Sequence, residues 1–186
     1  MALHAGLGVS PWDVLHVGLA HHLHIAIGTA IIGTGFVVLF FGLLLGVKPG
    51  LGTLCDILVV GNVVNLLYAY DPIPNAAHWN FALRVLIFSA GTVITGLGIA
   101  LYIGTHVGAG PRDGVMIAFH QRFGWPVWKA RLAIEGIGLA GGLILQGPVG
   151  LGTLIWTLLL GWSAGIWFRV LKLTPDFIER GELVID

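Results

Sequence analysis

The first half of this sequence recurs in its second half at a constant offset of 100 positions. The segment 7–14 is similar to 107–114, and the pentapeptide Gly-Leu-Gly-Thr-Leu at 50–54 returns letter for letter at 150–154. The register between these matches runs over more than fifty positions without a gap. Self-similarity of this kind indicates an internal duplication, so the fold has to contain two related units.

The composition indicates that lipid, rather than water, surrounds the folded chain. Of the 186 residues, 56% are hydrophobic and only 10% are charged, whereas a soluble domain carries about 25% charged residues. So little charge cannot cover a water-facing surface. The 29 glycines suit helices that pack closely in a bilayer. The net charge of zero gives no reason to expect a nucleic-acid partner.

The apolar segments predict an all-α, polytopic membrane protein with about five transmembrane helices and two short half-helices. The five long segments lie near 26–46, 51–70, 81–105, 126–146 and 151–171. Each can supply the roughly 20 residues that a helix needs to cross a bilayer. The segments 11–23 and 111–123 are too short to span. We interpret both as half-helices that are re-entrant or lie at the interface.

Both half-helices begin with a capping pattern. Ser10 can act as the N-cap, with Pro11 at the first helical position and Asp13 at the third. Gly110, Pro111 and Asp113 repeat this arrangement. A carboxylate in the first turn offsets the helix dipole by about 0.3–1 kcal/mol. Capping is therefore the favoured role of both aspartates, with anion binding at the helix start as the alternative.

A second pair of caps is predicted at the repeated pentapeptide. With Thr53 as N-cap, Asp56 is the third helical residue, which completes a Thr-x-x-Asp cap. Thr153 is the counterpart of Thr53 in the second unit. This interpretation gives the three residues structural roles.

The cations predict the orientation in the membrane. If the long segments alternate in direction, one side receives eight cations: Lys48, Arg112, Arg122, Lys129, Arg131, Arg169, Lys172 and Arg180. The other side receives Arg84 alone. By the positive-inside rule, the 105–126 connection and the tail 174–186 are cytoplasmic, and the loop 71–80 is external.

The two units differ at their starts. We assign residues 1–70 to the first unit and 81–173 to the second, in which a full membrane helix precedes the Gly-Pro-Arg-Asp motif. In the first unit only residues 1–6 precede the matching segment 7–14. We therefore expect that an equivalent of that helix is missing. With it, the units would hold three spans each and insert with opposite topology, as in inverted-repeat transporters. The gap leaves room for pairing with a second copy as a homodimer.

The motifs resemble those of the YczE-type integral membrane proteins of bacteria, and more distantly the YitT-type membrane proteins. The resemblance rests on Gly8-x-Ser10-Pro11-Trp12-Asp13, Gly52-Thr53-Leu54, Gly108-x-Gly110-Pro111-Arg112-Asp113-Gly114, Arg131-x-x-x-Glu135 and Gly150-x-Gly152-Thr153. It covers nearly the whole chain, apart from the family's first span. It implies a helical fold in the bacterial inner membrane, and no substrate.

Candidate functional residues are those whose charge lies deep in an apolar segment. Glu135 lies about nine residues into its helix, roughly 13 Å from the start. Arg131 stands one turn earlier, at the spacing that lets two side chains meet. The pair either faces an internal cavity, binding a solute or exchanging a proton, or ties helices together as a buried ion pair. The residues alone leave both readings open.

Two further positions complete the candidate solute site. Arg112 directly precedes Asp113 at the start of its half-helix and could pair with an anionic group. Asn62 lies near the middle of its predicted span, where a hydrogen bond between helices is the favoured role.

No cofactor, metal or enzymatic role is predicted. The eight histidines lack a carboxylate or cysteine at ligand spacing, and we interpret them as residues tolerated at a membrane interface. No Ser/His/Asp, Cys/His or metal-ligand constellation indicates catalysis. Two hypotheses follow: a secondary transporter or permease for a small polar or anionic solute, and a non-transporting scaffold or regulatory partner whose charges only hold helices together.

Overall fold

The computed structural model describes residues 6–70, 78–103, 110–125 and 127–171. Within these ranges the chain forms seven helices: α1 Pro11–Leu23, α2 Ile27–Leu44, α3 Leu51–Tyr70, α4 Phe81–Ile103, α5 Pro111–Phe123, α6 Val127–Ile144 and α7 Leu151–Val170. Turns connect consecutive helices wherever the connection lies in the described part of the chain. The all-α fold predicted from the apolar segments is confirmed.

Within the described ranges, three helices are long and apolar enough to cross a membrane: Ile27–Leu44, Leu51–Tyr70 and Phe81–Leu101. A shorter apolar stretch, Leu151–Trp167, lies in α7. The bounds of α2, α3, α4, α6 and α7 match the five predicted segments within a few residues. Large apolar side chains cover their outer surfaces, such as Phe40, 59% exposed, and Leu158, 78% exposed. Such a surface is stable in contact with lipid rather than with water.

The two short helices, α1 and α5, have the same length and matching ends. Each has 13 residues, about 20 Å at 1.5 Å per residue, which is less than the hydrocarbon thickness of a bilayer. Each begins with proline at its first position and carries aspartate at its third. Each ends at a residue in the left-handed conformation, His24 in one case and Gly124 in the other.

The short helices hold the long ones together. α1 packs against α6 and α2, and α5 packs against α2 and α6. α4 packs along α7. Gly142 allows the closest approach of α1 to α6, because a Cβ atom there would lie 2.5 Å from the backbone nitrogen of Leu15. A helical glycine is therefore needed where the two backbones meet.

The start of α3 differs from the prediction. The helix begins at Leu51 with Gly50 as its N-cap, so Thr53 is at the third helical position and its assignment as N-cap is wrong. The Thr53 hydroxyl accepts a hydrogen bond from the Gly50 N–H at 3.1 Å. Thr153 does the same for Gly150 at 3.3 Å. Asp56 therefore lies beyond the first turn, where it opens a π-helical segment, Asp56–Val60, and caps nothing.

Several predicted features lie outside the described residues. Residues 71–77 of the proposed external loop fall there, as do the tail 174–186 and the first five residues of the 105–126 connection, 105–109.

Candidate functional site

The start of α1 carries a hydrogen-bonded network of three polar side chains. The Ser10 hydroxyl donates to a carboxylate oxygen of Asp13 at 2.7 Å and accepts from the Asp13 N–H at 3.2 Å. The other carboxylate oxygen of Asp13 lies 3.2 Å from Nδ1 of His16. The His16 side chain is only 1% exposed, and its Nε2 has no hydrogen-bond partner. One nitrogen of this buried imidazole thus has a hydrogen-bond partner, and the other has none.

The surroundings of this network shift the pKa of its two ionisable groups. Burial by itself would raise the pKa of Asp13, but the hydrogen bonds from His16 and Ser10 and the charge of Arg112 hold it below its ordinary value. Burial lowers the pKa of His16, an effect that Asp13 opposes and Arg112 reinforces. At neutral pH the pair is therefore a carboxylate beside a neutral imidazole.

A cation from the second half of the chain lies on an indole from the first half. The guanidinium carbon of Arg112, in the first turn of α5, is 4.8 Å from the centroid of the Trp12 ring. Trp12 is 5% exposed and its Nε1 has no hydrogen-bond partner. The ring also packs on Gly138 of α6, where a Cβ would lie 3.0 Å away. Arg112 and Trp12 occupy equivalent positions in the two units.

A cavity of about 40 Å³ opens beside this stacked pair. By this measure it holds about three water molecules or one small ion. Its lining includes Trp12, Thr34 and Asp56 from the first half and Pro111 and Arg112 from the second. Apolar residues of α2 and α3 complete the wall: Ile31, Gly35, Val38, Ile57 and Val60. The first turn of α5, which carries the positive end of the helix dipole, lies at this cavity.

The remaining predicted charges surround the cavity without lining it. Glu135 of α6 is half-buried, within electrostatic reach of Arg131, Arg112, Asp113 and Asp13. The charge of Arg131, one turn earlier on the same helix, acts on Glu135, and their pairing stays a prediction. Burial raises the pKa of Asp113 against the opposing charges of Arg131 and Arg112. Asp113 and Glu135 thus both interact with Arg112 and Arg131, and Arg112 and Glu135 also interact with Asp13 of the first unit.

Asn62 is not part of this site. Its side chain is exposed and donates to the Leu58 carbonyl of its own helix at 2.7 Å. The predicted hydrogen bond between helices belongs to Asn65 instead. The Asn65 side-chain oxygen accepts from the Gly28 N–H at 2.8 Å, and its nitrogen donates to the Thr29 hydroxyl at 3.3 Å.

Two contributors to the site went unrecognised in the sequence. His16 was interpreted as an interfacial residue, together with the histidines that follow it. Its spacing of three residues from Asp13 and four from Trp12 places all three on one side of α1, and this was the available signal. Asp56 was assigned to a cap, whereas it lines the cavity with Arg112.

The network resembles catalytic chemistry only in its residue types. Ser10 donates to Asp13 and not to His16, so the imidazole cannot take the serine proton. Among the residues that the structure describes, no three His, Cys, Asp or Glu side chains converge as metal ligands.

Long apolar helices held around an internal cluster of charges define a polytopic helical membrane protein of the α class. Residues 1–169 match the family of unknown function DUF6198, and the chain belongs to that family. It is 31% identical over 156 residues to the uncharacterized membrane protein YczE of Bacillus subtilis, covering 83% of this chain and 71% of the relative.

Two further relatives cover even more of the chain. An uncharacterized protein of Haemophilus influenzae is 32% identical over 171 residues, 92% of this chain and 77% of the relative. The uncharacterized protein YyaS of Bacillus subtilis is 29% identical over 163 residues, 87% and 80% of the two chains. No solved structure matches. The resemblance to YczE-type membrane proteins is confirmed, and none of these names states an activity.

Proposed function

We propose that this protein is a secondary transporter or permease for a small anionic solute, with the solute bound beside Arg112. The observation that carries the proposal is the shared cavity, whose wall comes from both halves of the chain. A site between two units can open alternately to either side when the units rock against each other. The guanidinium of Arg112 and the first turn of α5 are hydrogen-bond donors at the cavity, which favours a negatively charged solute.

Helix packing supports two related units. If the units are exchanged, α1 corresponds to α5, α2 to α6 and α3 to α7. The contacts of α1 with α6 and α2 then become contacts of α5 with α2 and α6, and both sets are present. The contact of α4 with α7 has no equivalent on α3 within the described residues. The exchange symmetry of the contacts of α1 and α5 agrees with a duplicated module.

We propose that the protein is located in the bacterial inner membrane and that its C-terminus is cytoplasmic. Eight of the nine cations fall on the side assigned to the cytoplasm. The relative YczE is a membrane protein of a bacterium.

The scaffold alternative also has an observation in its favour. Arg112 already has a partner in the Trp12 ring, and the cavity is small. If the charges only hold helices together, replacing Arg112 changes stability and no flux.

The test measures uptake of chloride, nitrate, formate, inorganic phosphate and glycine by proteoliposomes containing the purified protein. We expect uptake of at least one anion, reduced at least tenfold in Arg112→Gln because the solute loses its cation. Glu135→Gln should have a smaller effect, since Glu135 acts on Arg112 from outside the cavity. Arg122→Gln is the matched control, because Arg122 is exposed at the far end of the same helix. No uptake above protein-free vesicles for any of the five solutes contradicts transport, and equal uptake by Arg112→Gln contradicts the site.

A further inference from the structure

His16 is a buried ionisable group for which the proposed function has so far given no role. It is 1% exposed, yet its Nε2 has no partner among the described residues. A buried polar atom without a hydrogen bond destabilises the fold, so its presence in a native structure calls for an explanation. Leucine would fill the same space without that loss. The second unit has Met116, an apolar residue, at the equivalent position.

The network around His16 determines which nitrogen is open. Asp13 accepts from the Ser10 hydroxyl through one oxygen at 2.7 Å, which leaves the other to accept from Nδ1 of His16 at 3.2 Å. The neutral imidazole therefore carries its hydrogen on Nδ1 and a lone pair on Nε2. A proton added at Nε2 produces an imidazolium that the Asp13 carboxylate stabilises. The geometry is that of a reversible proton acceptor.

His16 is also coupled to the anion site. It lies one turn from Trp12 on the same side of α1, with ring centroids 6.2 Å apart, and Trp12 carries Arg112 on its face. Arg112 and a protonated His16 repel each other. An anion beside Arg112 reduces that repulsion, so anion binding favours proton binding. By thermodynamic linkage, protonation of His16 favours anion binding to the same degree.

We propose that His16 is the proton site that couples transport. Its Nε2 takes a proton from water when an anion binds beside Arg112, and returns the proton to water on the other side when the anion leaves. Each anion then moves together with one proton. The inference rests on the proposed function and assigns it a coupling ion and a direction of coupling, namely symport.

Asp13 and Arg112 act directly on His16, and further charged groups on the helices packed around α1 act on these two. Asp13 lies on its own helix, and Arg112 and Asp113 come from α5. Arg131 and Glu135 come from α6, and Glu135 is within electrostatic reach of Asp13. α2, which also packs on α1, has no titratable residue in Ile27–Leu44.

The test separates anion exchange from net proton movement. Proteoliposomes enclosing a pH-sensitive dye are given an inward gradient of chloride, nitrate or inorganic phosphate in turn. Equilibrium exchange of the same anions is measured in parallel. The variant is His16→Asn, whose amide can still donate to Asp13 but offers no proton site at the Nε2 position. His22→Asn is the matched control, because His22 is exposed on the same helix.

For the parent and His22→Asn, we expect internal acidification that follows the anion gradient. In His16→Asn, the ratio of anion-driven acidification to anion exchange should fall at least tenfold, because anions then move without protons. Acidification by His16→Asn equal to that of the parent overturns the coupling role and leaves transport standing. Absence of exchange in the parent overturns the proposed function itself, and the coupling role with it.

A second measurement does not depend on the variant folding. In parent protein labelled with ¹⁵N-histidine, the His16 Nε2 resonance should move from the unprotonated to the protonated position when the anion is added at constant pH. A resonance that stays at the unprotonated position at saturating anion also overturns the proposal.

Discussion

The helices α1 and α5 have one backbone design and two different chemistries. Both have 13 residues, proline at the first position, aspartate at the third and a left-handed residue at the end. α1 adds Ser10, Trp12 and His16, which form a neutral, hydrogen-bonding surface around its aspartate. At the same positions α5 has Gly110, Arg112 and Met116, and so contributes the cation. A duplicated fold can therefore keep its backbone geometry while the two copies place different side chains at the same positions.

The largest difference between the units should appear where each short helix meets the long helix of the other unit. A Cβ at Gly142 of α6 would lie 2.5 Å from the Leu15 nitrogen and 2.7 Å from the Val14 carbonyl carbon, both backbone atoms of α1. At Gly42 of α2, the nearest atom to such a Cβ is a methyl of Val115 at 3.6 Å, an ordinary contact. We expect Gly142→Ala to lower the free energy of unfolding by about 3 kcal/mol.

Gly42→Ala is the control for this substitution, and it should be neutral or stabilising by up to about 1 kcal/mol because alanine favours a helix. Both are measured by SDS titration in detergent micelles, followed by circular dichroism. Equal effects of the two variants would contradict the difference in packing.

A medium effect is expected at the N-cap side chain, which α1 has and α5 lacks. Ser10→Ala removes both hydrogen bonds to Asp13 and should cost about 1–2 kcal/mol of unfolding free energy. Ser10→Thr keeps the hydroxyl and should recover most of that loss. The same SDS titration decides the matter, and equal losses in the two variants would mean that packing, rather than the cap, is responsible.

The smallest effect concerns the ends of α2 and α6. Gly46 has φ +86° and its counterpart Gln146 has φ 54°, so one unit has glycine in the left-handed conformation and the other does not. A Cβ at Gly46 would meet nothing within 4 Å, so Gly46→Ala should lower stability by about 1 kcal/mol through the backbone alone. Gln146→Gly should raise stability by only a few tenths of a kcal/mol. Glycine relieves the strain of the left-handed conformation, but it also gains freedom in the unfolded chain, which offsets most of that gain. Thermal unfolding in detergent measures both, and a gain of stability in Gly46→Ala would refute the backbone explanation.

The fold could be predicted from local features of the sequence. Length and hydropathy defined the long helices, and Pro11 and Pro111 marked the starts of the short ones, because proline has a fixed φ and lacks an N–H wherever it occurs. The N-cap at Thr53 was the exception. Gly50, which has no side chain to advertise a cap, starts the helix three residues earlier.

The site could be predicted only in part, because its members come from distant points in the chain. Arg112, Asp113, Arg131 and Glu135 were recognisable as charges in an apolar setting. The stacking of Arg112 on Trp12 joins residues 100 positions apart and has no local pattern. The pairing of Arg131 with Glu135 stays a prediction, because spacing along a helix allows a contact without enforcing it.

The wider turn at Asp56–Val60 makes α3 a helix with two separately aimed halves. A π-helical turn takes up more residues than an α-helical one, so the residues after Gly61 are rotated about the axis relative to those before Asp56. The early half brings Asp56 to the cavity, while the late half delivers Asn65 to the backbone of Gly28. α7 winds regularly throughout and has no such offset. Replacing the π-helical turn by an α-helical one would rotate Asn65 away from Gly28 and leave the beginning of α3 in place. The hydrogen bond between Asn65 and Gly28 therefore depends on this turn.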